Sequence, residues 1–365
     1  MRKSPRRAPG ARVVVALIVG VAALLTSGPA NRGGVASADP FERLRDRVER
    51  RAAKSFRELL QRRLSPDEAR RAGEPLLSLI ARLAKRNRRS EALQLLHAEM
   101  AASLAFAFAE DDDPEEAGRL YREAQRAGLG VLYRRFGRRA ATLHEGPVDE
   151  ARAALAKLGP KLGEAEVKAL FWLAFASGLE INLLREPRHG AAIPRVRALL
   201  EWLVEKDETL FNAGPHLALG LLEASVPRAA GRDLAKARRH FEAVDRITKD
   251  RWLVNKVIRA RTLSPAMQDE VPRGADMTAR HAAQRRAWRD FQETLAEVRD
   301  APEDLWPSRN LFNEIARRKA LRMLEEPDDW ILPPPQPKDG SGEAKDAADG
   351  DSDQPAQGAE EDDGE

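Results

Sequence analysis

The chain has 365 residues, of which 42% are hydrophobic and 33% are charged, and it contains no cysteine. The absence of cysteine excludes a disulfide framework, thiol catalysis, a Cys-ligated metal and a lipid-attachment cysteine, so apolar burial alone must hold the fold. The 62 basic and 58 acidic residues give a net charge of +4.

The first 38 residues predict a cleavable secretory signal peptide. Five bases and no acid lie in residues 1–12, the thirteen-residue apolar run Val13–Leu25 follows, and Ala36-Ser37-Ala38 supplies the small residues of a cleavage site. Because a bilayer span needs about 20 apolar residues, an uncleaved membrane anchor is the less favoured alternative. No later segment is expected to cross a membrane.

Removal of this signal changes the charge of the chain. Six of the 62 bases and none of the 58 acids precede residue 39, so the rest of the chain has 56 bases against 58 acids and a net charge of −2. A nucleic-acid partner therefore gains no support. At the other end, residues 333–365 hold eleven acids, two lysines and no aromatic residue, which predicts a disordered acidic tail.

Residues 39–332 are predicted to form one all-α domain. Ser65-Pro66-Asp67-Glu68 is typical of a helix start with a capping box. Nearly all-apolar helices alternate with amphipathic ones, which predicts stacked helical hairpins with the apolar helices inside. The apolar helices are Leu93–Ala109, Val167–Leu184 and Leu210–Val226, and their amphipathic partners are Glu115–Ala127, Pro194–Lys206 and Asp233–Lys249.

The first hairpin matches the tetratricopeptide spacing without a gap, and the other two match it only in part. The matching positions of the first are Leu104-Ala105, Phe108, Ala117, Tyr121 and Ala124. We therefore expect a tetratricopeptide-like fold built from degenerate repeats.

The sequence holds no phosphate loop, Ser/His/Asp set or carboxylate pair, so neither an enzyme nor a cofactor is predicted. His97, His216 and His240 look solitary, without a carboxylate at metal-ligand spacing, and no metal site is predicted. His216 lies on an apolar inner helix next to Pro215. It is either a buried histidine bonded to a neighbour or a ligand contact.

Aromatic residues gather on or next to the inner helices, including Phe211. Plain core packing explains any one of them. As a group on helices that are apolar on both faces, they indicate an internal cavity, an oligomer interface, or both. The predicted lining of such a cavity is Phe171, Trp172, Phe175, His216 and Trp252.

The order of these pieces resembles one known family, the T component of tripartite ATP-independent periplasmic (TRAP) transporters. The resemblance covers roughly residues 65–323 and rests on Ala105–Glu110, Val167–Ala174, Ile193–Glu201, His216–Gly220, Ala235–Phe241 and the closing helix Asn310–Leu324. It implies a periplasmic tetratricopeptide-like protein that forms a homotrimer. It also implies an apolar cavity, a solute-binding P component as partner, and a hydrophobic small molecule, with or without a carboxylate, as ligand.

Three features depart from that family pattern. There is no lipidation cysteine, residues 263–284 look like a longer and more polar connection, and the acidic tail is an addition. An envelope scaffold of the tetratricopeptide class, which holds a protein or peptide without a transport role, therefore remains the alternative.

Overall fold

The structure is a computed structural model that describes residues 64–335 apart from residue 273, without the side chains of residues 187, 188 and 230. The predicted signal peptide, residues 39–63 and nearly all of the predicted tail lie outside the described residues. The predictions for those segments therefore stay predictions.

The described residues form eleven α-helices and no β-strand, which confirms the all-α prediction. The helices are α1 (Pro66–Arg86), α2 (Glu91–Leu104), α3 (Pro114–Phe136), α4 (Val148–Leu158), α5 (Glu164–Leu184), α6 (Ile193–Asp207), α7 (Leu210–Ser225), α8 (Leu234–Thr248), α9 (Leu253–Met267), α10 (Met277–Asp300) and α11 (Asn310–Glu325). A π-helical turn, Ala105–Ala109, continues α2.

Local signals in the sequence explain where two of the first helices begin. The Ser65 hydroxyl accepts from the Glu68 amide, and the Glu68 carboxylate accepts from the Ser65 amide at 3.0 Å, so the predicted capping box is confirmed. At α3, Asp113 caps the amide of Glu116 at 3.0 Å, and Pro114 occupies the first helical turn.

Six helices form a closed ring. In order round the ring, α1, α2, α5, α7, α9 and α11 each contact the next, and α11 contacts α1. The amphipathic helices pack outside, with α3 against α2 and α5, α6 against α5 and α7, α8 against α7 and α9, and α10 against α9 and α11. The predicted inner and outer helices thus fall in the two layers, and the ring surrounds a space.

Close packing between the layers depends on small residues. A Cβ on Gly220 of α7 would lie 2.9 Å from the Phe241 ring of α8, closer than two carbon atoms pack. In the first hairpin, the side chains of Ala105, Ala117, Tyr121 and Ala124 have no exposed surface. These contacts suit the predicted hairpin spacing, although the finer tetratricopeptide geometry stays a prediction.

Two inner helices are long and apolar enough to cross a membrane, contrary to the expectation from the sequence. They are Glu91–Ala109 and Glu164–Leu184. In the most apolar stretch of each helix, 50% and 61%, respectively, is buried inside the fold. Core helices of a ring need apolar side chains on more than one face, which accounts for this composition. The connection expected over residues 263–284 is also shorter, because α9 continues to Met267 and α10 begins at Met277.

Candidate ligand cavity

The ring of six helices surrounds a mostly apolar cavity of about 360 Å³, which is partly open to solvent. This volume falls in the range of small-molecule sites. All six ring helices, or the turns next to them, contribute lining residues. The aromatic ones are Phe106, Phe108, Phe171, Trp172, Phe175, Phe211, Trp252 and Phe312, and the polar ones are Glu99, Ser103, Asn212 and Arg309.

Phe171 is the centre of an aromatic cluster on one wall. Its ring stacks on Phe175 and Phe211 at centroid distances of 5.0 and 4.8 Å, and it meets Trp172 edge-on at 5.0 Å. Offset stacks and edge-on contacts at these distances are favourable beyond the area they bury. The cluster therefore forms a defined wall.

A left-handed turn at the start of α7 brings Phe211 into this wall. Phe211, Asn212 and Ala213 have φ of 48°, 61° and 60°, a conformation that is unfavourable by roughly 1–2 kcal/mol per non-glycine residue. Strained backbone of this kind persists only where its surroundings enforce it. The next residue, Gly214, has no room for a side chain, because a Cβ there would lie 2.6 Å from the Phe171 ring.

Another part of the cavity wall joins α9 to α11 through aromatic contacts. The Trp252 ring lies 5.9 Å from Trp306 and 5.8 Å from Phe312, centroid to centroid. Asn313 of α11 accepts from the Leu253 amide at 3.1 Å and so caps α9 from another helix. The sequence around α9 gives no sign of this distant cap.

The structure brings four of the five predicted lining residues to one cavity. Phe171, Trp172, Phe175 and Trp252 line it, whereas His216 is not among the lining residues. The cavity is also lined by residues that the sequence analysis did not assign to it, chiefly Phe106, Phe108 and Phe312, for which only their apolar character was a signal. Whether any of these residues binds a ligand stays a prediction.

His216 is paired, and the expectation that the histidines are solitary is wrong. Its Nε2 lies 3.3 Å from Glu208, and its Nδ1 lies 2.9 Å from Nδ1 of His240. Since the carboxylate only accepts, His216 donates from Nε2, and Nδ1 of a neutral His216 accepts from His240. His97 likewise meets Glu123 at 2.6 Å.

Burial shapes the titration of this histidine pair. It lowers the pKa of His216 below the usual range, against the hydrogen bond with Glu208, which raises it. Burial, with the adjacent His216, lowers the pKa of His240 to about 4. Both rings are therefore neutral at pH 7. Within the described part of the chain, no group of three or more candidate side chains could hold a metal ion.

A buried charged cluster lies where the ring closes, and we call it the seam. It consists of Glu110, Asp111, Tyr121, Arg261 and Lys319. Arg261 donates to Glu110 at 2.6 Å, the Tyr121 hydroxyl donates to the other oxygen of Glu110, and Lys319 donates to Asp111. The seam therefore joins the turn after α2 to α3, α9 and α11.

The surroundings of the seam favour its charges unequally. Burial disfavours the charged form of Arg261, but Glu110, Asp111 and Tyr121 together outweigh this effect and raise its pKa. Burial lowers the pKa of Lys319 despite Asp111, and burial together with Glu110 raises that of Tyr121, so Tyr121 stays a hydrogen-bond donor. The seam is a matched set in which each charge needs its partner.

Comparison with known proteins identifies the family. The family model described as TRAP transporter T-component matches residues 53–272, which is more than half of the chain. That stretch holds α1 to α9, and the match ends in the connection before α10. A comparison with curated proteins finds no match. The family match agrees with the ordered resemblance seen in the sequence, and the chain belongs to the TRAP transporter T-component family.

Proposed function

We propose that this T component binds a hydrophobic small molecule in the ring cavity and exchanges it with a solute-binding P component. Family membership assigns the chain an accessory role in a TRAP transporter and a place in the cell envelope, and the family is not one of enzymes. The ligand and the partner are the proposed steps beyond that role.

The observation that carries the proposal is the cavity wall. Phe171, Trp172, Phe175 and Phe211 form one packed aromatic cluster that lines a space of about 360 Å³. An apolar ligand that covers such a surface gains roughly 25 cal/mol for each Å² of apolar area removed from water. Polar groups at the same site, Asn212 and Arg309 among them, can orient the ligand.

We also propose that the protein is exported to the periplasm, that its signal peptide is cleaved, and that it forms a homotrimer. Export and cleavage are tested by the N-terminal sequence of protein recovered from the periplasm, which should begin at Asp39. The oligomer is tested by light scattering on the purified protein, and a monomer at micromolar concentration would contradict the trimer.

Mass spectrometry tests the ligand. Protein purified under native conditions is denatured, and the released small molecules are compared with those from an equal amount of a protein without such a cavity. We expect an apolar molecule in amounts comparable to the protein. In parallel, the tagged chain should retain the P component encoded beside the transporter's membrane subunits. Recovery of neither would contradict the proposal.

A further inference from the structure

A strongly basic surface lies where α1 and α3 end. Arg134, in the last turn of α3, donates to the carbonyl of Arg88 at 2.7 Å and pairs with Glu91 at 3.1 Å, so the two helix ends lie side by side. Six exposed cations occupy these ends and the turns that follow them: Lys85, Arg86, Arg88, Arg89, Arg138 and Arg139. Within residues 64–335, no carboxylate forms an ion pair with any of these six.

The helix dipoles explain only part of this charge. Cations in the last turn of a helix complement its negative end, which accounts for the bases in the last turns of α1 and α3. Arg88, Arg89, Arg138 and Arg139 lie beyond those turns. Neighbouring like charges repel one another in the absence of a counter-charge, so a surface of this kind fits a negatively charged partner.

An exposed aromatic side chain belongs to the same surface. Tyr133 is 47% exposed and directly precedes Arg134, whereas the other exposed large hydrophobic residues of the described chain lie on α10, on α11 or after it. The core of a protein interface needs several aromatic or aliphatic anchors. A phospholipid surface needs basic side chains for its headgroups and an amphipathic ring at the interface. Several bases around one tyrosine therefore favour a membrane surface over an acidic protein.

We propose that this surface docks the protein on anionic phospholipid headgroups. We call it the basic end and define it by the six cations and Tyr133. Family membership places the chain in the cell envelope, where such lipids are within reach. None of the seven residues lines the ring cavity, so docking does not depend on the proposed ligand. The attraction is electrostatic and therefore weakens as salt screens it.

Sedimentation with lipid vesicles tests the docking on the chain without its predicted signal peptide. Phosphatidylcholine vesicles that contain one quarter phosphatidylglycerol should pellet the protein at 0.1 M salt. Vesicles of phosphatidylcholine alone should not, and neither should the mixed vesicles at 1 M salt, because the screening length falls from about 10 Å to about 3 Å. Equal binding to both kinds of vesicle would overturn the proposal.

A charge-matched pair of variants locates the docking surface. Replacing Arg88, Arg89, Arg138 and Arg139 together by Gln should weaken binding to the mixed vesicles roughly a hundredfold. The control replaces four exposed arginines of α8 and α10 by Gln and should bind as wild type does, with circular dichroism unchanged in both variants. The control positions are Arg239, Arg285, Arg286 and Arg289. Equal losses in the two variants would show that only net charge matters, and would overturn the proposal.

A fluorescent label reports the contact directly. Because the chain has no cysteine, Tyr133→Cys gives a single attachment point for a nitrobenzoxadiazole label, whose emission rises when it leaves water. Met277→Cys, at a 62% exposed position on α10, is the control. We expect mixed vesicles to raise the emission at position 133 and not at position 277. The reverse pattern would overturn the proposal.

An acidic protein is the competing partner. If the mixed vesicles fail to bind at 0.1 M salt, but wild type retains an envelope protein that the basic-end variant loses, the basic end docks on protein and the lipid proposal is overturned.

Discussion

The cavity wall and the seam lie in the same ring of helices, but the side chains of the wall are aromatic and those of the seam are mostly charged. The wall is a stack of aromatic rings around Phe171, held by shape and apolar contact. The seam is a set of buried charges around Glu110, whose side chain is 1% exposed. The side chains of the wall can shift when a ligand enters the cavity, whereas the ion pairs of the seam determine which helices contact one another.

The difference has an energetic basis. A substitution in an apolar wall lowers stability only in proportion to the buried area or the cavity volume that it changes, and neighbouring rings can shift to reduce that loss. A buried ion pair that loses one partner leaves an unpaired charge away from water, with a much larger penalty. We therefore expect the seam to control stability and the wall to control binding.

The largest expected effect is at the centre of the seam. Arg261→Leu leaves the Glu110 carboxylate buried without its cation, and should lower the free energy of unfolding by about 3–5 kcal/mol, as measured by urea denaturation. Arg322→Leu is the matched control, since its pair with Asp112 is exposed and is worth at most about 1 kcal/mol. Equal losses in the two variants would contradict the role of the seam.

A smaller loss is expected when the same carboxylate loses a neutral donor. Tyr121→Phe removes only the hydroxyl that donates to Glu110 in a fully buried position. Hydrogen bonds to charged groups contribute about 1.5–3 kcal/mol, and urea denaturation should show a loss in that range. A loss as large as that of Arg261→Leu would show that the hydroxyl, rather than the guanidinium, is the main partner.

In the wall, a single methyl group should disturb both stability and binding. Gly214→Ala places a carbon 2.6 Å from the Phe171 ring, and overpacking of this kind destabilises by about 1–3 kcal/mol. Because Phe171 must move, the affinity of the protein for the fluorescent apolar probe N-phenyl-1-naphthylamine should fall as well. Gly130→Ala is the control, since a Cβ at this helical position meets nothing within 4 Å. Unchanged probe affinity in Gly214→Ala would show that the position of the Phe171 side chain does not affect binding in the cavity.

The smallest effect concerns pH. Burial lowers the pKa of His240 to about 4, so as pH falls this histidine is protonated in the unfolded chain before it is protonated in the folded one. The free energy of unfolding therefore decreases as pH falls from about 6.5 towards 4. His216, Arg239 and Lys236 act in the same direction on His240. His240→Gln should therefore lose less stability than wild type between pH 7 and pH 5 in thermal denaturation. Parallel curves would contradict the shift.

The sequence predicted the wall better than the seam, and the reason is physical. Phe171, Trp172 and Phe175 lie on one helix that is apolar on all sides, so local periodicity alone placed them inside. Arg261 and Lys319 lie 151 and 208 residues from their carboxylate partners. No local pattern links such positions, and only the closure of the ring brings them together.

The same limit explains two other differences. His216 and His240 are 24 residues apart on neighbouring helices, so they look solitary along the chain. The left-handed turn at Phe211–Ala213 has no glycine at its three positions, and local propensity disfavours it. Aromatic stacking on Phe171, which is a tertiary contact, holds that turn. Caps from residues next to a helix and the burial of apolar helices were thus predictable, whereas pairing and capping between distant helices were not.

Filling the cavity is the most direct test of whether the protein binds an apolar ligand there. Ser103 lines it on α2, whereas Met277 is 62% exposed on α10 and lies outside it. Small molecules extracted from Ser103→Trp and Met277→Trp are measured against wild type by mass spectrometry, with circular dichroism as the check of folding. We expect an apolar molecule that Met277→Trp retains and Ser103→Trp loses. Recovery of the same molecule in equal amounts from both variants would contradict it.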